Sequence, residues 1–198
     1  MDTIERNILD AAKRTFLKKG FQETNMAEIA AEVGLTRPAM HYYFRTKERL
    51  YQAVFGEILT TFIPKIKDYI MADIELEVKI EKIVDAYMNV FRDTPELPYF
   101  LLREANRDID NIVSTAITNN IAELGSSLMA AVNREMEEGR MKKVPLIQIG
   151  YTFYGLMMTP FLVLPIGERV FKIDSFTPEF LDDWKTHVVN QMVFMVKP

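Results

Sequence analysis

The sequence predicts an all-α protein: an N-terminal three-helix bundle containing a helix-turn-helix, followed by a larger C-terminal helical bundle. Three observations point that way. Apolar residues recur every three to four positions through most of the chain, the spacing of one helix face. Gly20, Gly34, Gly139, Pro95, Pro98 and Pro178 fall between those runs, where helices stop or start. No two-residue hairpin signal appears, so a strand-rich loop over 166–177 has no turn chemistry to support it.

In chain order, Ile4, Ile8, Leu9, Ala12 and Phe16 make the first stripe, closed by Lys18-Lys19-Gly20 with its basic residues in the last turn. Phe21 is the expected anchor returning the chain to the core. Asn25, or Thr24 before it, caps a second helix whose face is Met26, Ile29, Ala30 and Val33. Gly34 supplies the positive-φ position that ends it. Thr36-Arg37-Pro38 restarts a helix, with a hydroxyl for exposed amides and a proline in the first turn. This third helix, about Arg37 to Tyr43, is too short to stand alone and must pack on the second.

Thr46 caps a fourth helix with Leu50, Val54, Ile58, Leu59 and Phe62 on its apolar face; Pro64 is expected to kink or end it. Further helices are read over 75–92, 99–107, 111–138, 147–164 and 178–196. No Gly/Ser linker interrupts the chain. Two rigidly joined domains are expected, 1–46 and 47–198, with the fourth helix as their link.

Composition narrows the classes. At 198 residues, 48% apolar, the chain can bury a sizeable core. Without cysteine there is no disulfide framework and no cysteine-based metal site, which fits a reducing interior. The N-terminal MDTIERNILD lacks a basic-then-apolar signal pattern, so a cytoplasmic location is expected. Net charge is −4, yet residues 1–55 hold nine Lys/Arg against seven acids while the remainder holds 15 against 21. A weakly basic end on an acidic body would orient the protein on DNA rather than coat it.

The stretch TRPAMHYYFRTKERL after a three-residue turn resembles the DNA-binding segment of the TetR family of transcriptional regulators, over roughly residues 4–55. The family pattern of small polar, hydrophobic and aromatic positions, then a lysine, falls on Thr36, Arg37, Pro38, Ala39, Met40, His41, Tyr42, Tyr43, Phe44 and Lys47. His41 stands where tyrosine is common in the family. The resemblance implies a homodimeric regulator paired through its last two helices.

On the residues themselves, Arg37 is the candidate for reading guanine bidentately, and Ala39 offers a methyl to thymine. His41, Tyr42 and Tyr43 are expected to face DNA. Lys47, at a helix start, is expected to clamp a phosphate, with Thr24 and Asn25 doing likewise one helix earlier. Phe44 and Met40 are assigned to the core side. One such unit reads few base pairs, so a palindromic double-stranded site needs a dimer with half-sites about 34 Å or a multiple apart.

Residues 56–198 hold nine of twelve methionines and 15 of 22 aromatics. A pocket for a small hydrophobic or aromatic effector is expected there, with Tyr87, Phe91, Phe100, Tyr154 and Met158 as lining and Arg103 as polar anchor. The bland alternative is ordinary core for the lining residues and a solvated face for Arg103, which stands with Glu104 and Arg107 on the short 99–107 helix. Residues 145–167 carry no charge, but Gln148, Thr152, Thr159 and two internal prolines favour a buried or interface helix over a membrane span. The 178–196 helix is apolar on more than one side and needs two surfaces to cover it. Phe153, Met157, Phe161, Leu181, Trp184, Val188, Met192 and Met195 are the expected homodimer contacts.

His41 and His187 lie far apart in sequence without carboxylates at ligand spacing, so no metal is expected, nor any cofactor. No nucleophile–base pattern or phosphate-cradling loop appears, and the chain is not read as an enzyme. The leading reading is a repressor released from DNA by a small molecule. Its rival is a helical carrier for a hydrophobic ligand without DNA binding.

Overall fold

The computed structural model describes residues 2–118, 121–172 and 177–198, with side chains except at 61–65, 121, 122, 124, 164, 165 and 171. Ten α-helices are described: α1 (Thr3–Glu23), α2 (Met26–Glu32), α3 (Arg37–Tyr43), α4 (Lys47–Met71), α5 (Leu76–Asp93), α6 (Leu97–Arg107), α7 (Ile109–Thr118), α8 (Ile121–Glu137), α9 (Leu146–Ile166) and α10 (Pro178–Val196). A wider π-type turn, Gly167–Phe171, follows α9. No strand occurs among the described residues. The strand-rich loop considered over 166–177 is therefore helical as far as Phe171, and residues 173–176 lie outside the described residues.

The chain divides into two compact units. The first comprises Met1–Thr61 and Phe100–Ile121, the second Phe62–Tyr99 and Ala122–Pro198. This corrects the boundary expected at 46/47. The first half of α4 belongs to the N-terminal unit because its apolar face is spent there: Leu50, Tyr51, Val54 and Phe55 are all buried. Phe100 of α6 lies between Tyr51 and Phe55, at ring separations of 6.3 and 6.0 Å, and so joins the same core.

Within the first unit the capping chemistry follows the sequence. Asp2 accepts from the Ile4 amide to open α1, and Asn25 accepts from the Ala27 amide at 2.9 Å to open α2. Thr36 accepts from the Ala39 amide to open α3, with Pro38 in the first turn. Gly34 has φ +71 and closes α2. At Gly20 (φ +78, ψ −179) α1 is kinked, so the helical path resumes for one short turn to Glu23 instead of ending.

In the second unit α10 packs on α5 and α9, and α5 also touches α9. Thr177 accepts from the Phe180 amide and Pro178 occupies the first turn of α10. Of the two outcomes expected at Pro64, a kink or an end, the end does not occur, since α4 runs on to Met71. A proline there costs one ladder bond, on the order of 3 kcal/mol in a helix interior. Burial of Ile66 beyond it offsets part of that cost. The expected contribution of the Phe62 side chain lies outside the described residues. The single helix expected over 111–138 is described as α7 and α8, with residues 119–120 between them outside the described residues. By length and composition alone, α9 is apolar enough over Leu146–Val163 to cross a membrane.

Candidate nucleic-acid interface and candidate effector cavity

The short α3 is held from below by Met40 and Phe44, both buried as expected. That leaves Arg37, Pro38, His41 and Tyr42 on the open side, with Ala39 and Tyr43 half-buried. Tyr42 is 85% exposed and meets Tyr43 edge-on at 5.3 Å. The His41 ring nitrogen Nδ1 lies 3.2 Å from the Arg45 carbonyl oxygen. A carbonyl can only accept, so Nδ1 carries the proton in that bond and the ring orientation is fixed. Arg37, His41, Asn25, Met26 and Lys47 line one groove.

Three nominated residues are placed differently from expectation. Thr24 is only 3% exposed, and its hydroxyl donates to the Gly20 carbonyl at 2.6 Å. It braces the kink in α1, and Thr24 still lines the groove beside Asn25, Arg37 and Lys47. The Lys47 ammonium donates to the carbonyls of Phe21 (2.8 Å), Thr24 (3.0 Å) and Gln22 (3.3 Å), and lies 4.5 Å from the Phe21 ring centre. Its three N–H groups therefore close the α1–α2 turn, and a phosphate contact would require giving one of them up. Tyr43 donates to Asp2 at 3.0 Å, and that bond, ahead of other causes, raises its pKa. Asp2 was not foreseen as a site neighbour. Forty-one positions separate it from Tyr43, and only tertiary packing brings them together.

The second unit encloses a cavity of about 300 Å³. Its wall is almost wholly apolar, built from α4 (Ile66, Ile70), α5 (Ile80, Ile83), α8 (Val132) and α9 (Ile149), among others. Tyr87 and Tyr154 line it as expected, their hydroxyls 3.1 Å apart. Burial is the first cause raising the Tyr87 pKa, so it stays a neutral phenol. The other pocket residues need correction. Phe91 is fully buried behind the wall, edge-on to Phe161 at 5.2 Å, and Met158 does not line the cavity. Phe100 and Arg103 belong to the first unit, where Arg103 donates to the Phe16 carbonyl at 3.1 Å.

Lys79 and Glu135 were missed. Lys79 shares the α5 face of Leu76, Ile80 and Ile83, and a lysine on an apolar stripe is a readable signal. Its ammonium donates to Glu135 at 2.8 Å with both side chains largely buried. Glu135 also accepts from Arg140 at 2.5 Å. The Arg140 hydrogen bond, then Lys79, hold the Glu135 carboxyl down at about 2 against the opposing effect of burial. Its folded pKa lies below the unfolded 4.5, so the stabilisation is full above pH 4.5 and lost as pH falls through about 2. Chemical denaturation at pH 7 and pH 2.5 should reveal about 2–3 kcal/mol of this, absent in Glu135→Gln.

The expected dimer contacts are largely consumed within the second unit. Met157, Phe161, Leu181, Val188 and Met192 are buried in its own core, because α9 and α10 pack on each other and on α5. The Trp184 indole donates to the Leu156 carbonyl at 2.9 Å. Phe153 lines the cavity against Tyr87 at 5.0 Å, and Met195 packs beside Met136, Met141 and Val196. The apolar side chains that α9 and α10 leave most exposed are Phe194 and Tyr151.

Residues 8–54 match the family model described as bacterial regulatory proteins, tetR family. Over that segment the chain is similar to the TetR family. Among curated relatives, the HTH-type transcriptional regulator RutR of Escherichia coli (strain K12) is 33% identical over 92 residues, 46% of this chain and 43% of RutR. The chain thus spans under half the length of the curated relatives it matches first. Solved TetR-fold structures cover nearly all of it. The fatty acid degradation regulator FadR of Bacillus halodurans superposes with a TM-score of 0.73 at 16% identity, over 98% of this chain and 96% of that one. FadR of Bacillus subtilis, solved with stearoyl-CoA, gives 0.68 at 17% identity, over 95% and 97%. At such identities the likeness shows the fold alone.

Proposed function

We propose that this chain is a ligand-responsive, DNA-binding transcriptional regulator that acts as a homodimeric repressor in the cytoplasm. The observation carrying the reading is the α2–turn–α3 unit, with Arg37, His41 and Tyr42 unpacked on one open side while Met40 and Phe44 fill the core beneath. Such a short helix with exposed aromatic and guanidinium groups suits insertion in a major groove, where Arg37 reads a guanine edge. Asn25, whose side-chain oxygen caps α2, lines the same groove as Arg37, and its exposed side-chain N–H groups can donate to a neighbouring phosphate. Tyr43 joins the contact on releasing Asp2, and Lys47 on giving up a carbonyl.

Pairing of two copies supplies the second half-site, and the exposed Phe194 and Tyr151 are the residues it would cover. A small apolar effector in the 300 Å³ cavity acts on α4, which gives Ile66 and Ile70 to the cavity wall and Leu50 and Val54 to the recognition unit's core. An effector that prefers one position of this helix shifts the population away from the DNA-competent form.

Binding of the purified protein to DNA flanking its own coding region, measured across salt concentrations, tests this. Tighter binding than to random DNA, weakening steeply with salt, is expected. Arg37→Ala should cost about 1–3 kcal/mol, roughly tenfold to a hundredfold in affinity, mostly at one base pair of each half-site. Equal affinity for random DNA would sink the reading.

A further inference from the structure

We infer that the cavity takes an uncharged, largely apolar molecule bearing one hydroxyl or carbonyl group, and discriminates against carboxylates and phosphates. The inference rests on the proposed effector role of this cavity and names the chemistry it admits. Among the described residues, the lining carries polar side chains at two places, the Tyr87–Tyr154 pair and the Lys79–Glu135 pair.

At the first, one hydroxyl donates to the other at 3.1 Å. A phenol oxygen both donates and accepts, and Tyr154 is 48% exposed, so it retains capacity for a ligand's hydroxyl or carbonyl. Phe153 and Tyr87, edge-on at 5.0 Å, add aromatic surface beside it.

At the second, the one lining cation among the described residues is already committed. Lys79 holds Glu135 at 2.8 Å, and Glu135 in turn holds Arg140, which also pairs with Glu138. The pair forms the boundary with a polar groove lined by Asp73, Glu75, Glu77, Arg140 and Lys197, where Lys197 is bound to Glu77. Carboxylates outnumber cations there. An anionic head entering from either side meets that excess, and it can win Lys79 only by leaving Glu135 without its largely buried partner. A cationic head meets Lys79 and Arg140 already occupying the two Glu135 oxygens. Neutral ligands escape both costs.

Calorimetric titration of the full chain with para-butylphenol and para-butylbenzoate, which share an apolar body, tests this. Wild type should bind the phenol at least about tenfold more tightly, since the benzoate gains no free cation. Tyr154→Phe should weaken phenol binding by about three- to tenfold, the worth of one hydrogen bond. Glu135→Gln frees Lys79 and should shift the preference toward the benzoate by about tenfold or more. Equal or tighter benzoate binding by wild type overturns the inference, as does failure of both probes to bind. If Glu135→Gln does not fold, the wild-type comparison and Tyr154→Phe decide. DNA affinity of the same preparation without probe reports on the regulator reading separately, so either can fail alone.

Discussion

Alanine at position 104 is expected to lower the unfolding free energy by about 3–5 kcal/mol, the cost of breaking a buried ion pair from one side. Glu104 is fully buried in the first unit and makes four separate contacts. It accepts from Arg107 at 2.6 Å, from the Tyr51 hydroxyl at 3.1 Å and from the Phe21 amide at 3.3 Å, and lies 3.5 Å from Arg103. Removing the carboxylate takes the 2.6 Å partner from Arg107, leaves Arg103 to its carbonyl partners, and deprives a buried phenol of its acceptor. Burial, then the Glu104 charge, already push the Tyr51 pKa upward. The consequence is functional as well as thermodynamic, because these contacts fasten α6 to α1 and α4 within the unit that carries α3. Urea denaturation of Glu104→Ala beside Glu104→Gln checks it. Glutamine keeps part of the hydrogen bonding and should fall between the two, and a loss under about 1 kcal/mol in the alanine variant would show that the cluster is solvated.

Gly20→Ala is the second large effect. Gly20 holds φ +78 and ψ −179, a region open almost solely to glycine, and a side chain there costs about 1–3 kcal/mol in backbone strain. The added Cβ would also sit 2.7–2.9 Å from three atoms of the Arg103 guanidinium. That guanidinium donates to the Phe16 and Leu17 carbonyls at 3.1 and 3.4 Å, so it caps the helix just before the kink. Displacing it adds the loss of those bonds, for a total of about 2–4 kcal/mol. Thermal melts of the single variants and of Gly20→Ala/Arg103→Ala separate the parts. The double variant should lose less than the sum, because the clash is absent once Arg103 is gone. Simple additivity would mean that strain alone acts at Gly20.

Much of the recognition unit was legible because it is local. Asn25, Thr36 and Gly34 act through partners a few positions away, and their chemistry is written in the neighbouring residues. The same holds for the core side of α3, since Met40 and Phe44 are four apart. Lys47, Tyr43 and Thr24 were read as surface groups because sequence shows a charge or a hydroxyl but not the carbonyl or carboxylate that folding sets against it. The expected pocket mixed residues from both units for a similar reason. Amphipathic spacing says which face of α6 is buried but not which neighbour buries it, and Phe100 and Arg103 go to the recognition unit. Sequence likewise shows Leu181, Val188 and Met192 as apolar without showing that they fill the core of their own unit.

The sequence by itself determined most of the helices, their caps and the helix-turn-helix with its likeness to the TetR family, each of which rests on contacts within a few residues or on a contiguous pattern. Only the tertiary structure decided that α6 belongs with α3, that Lys79 is neutralised by Glu135 fifty-six positions away, and that Asp2 holds Tyr43. Those outcomes depend on long-range partners, and a one-sided apolar helix or a lone charge can be satisfied by many partners until packing selects one.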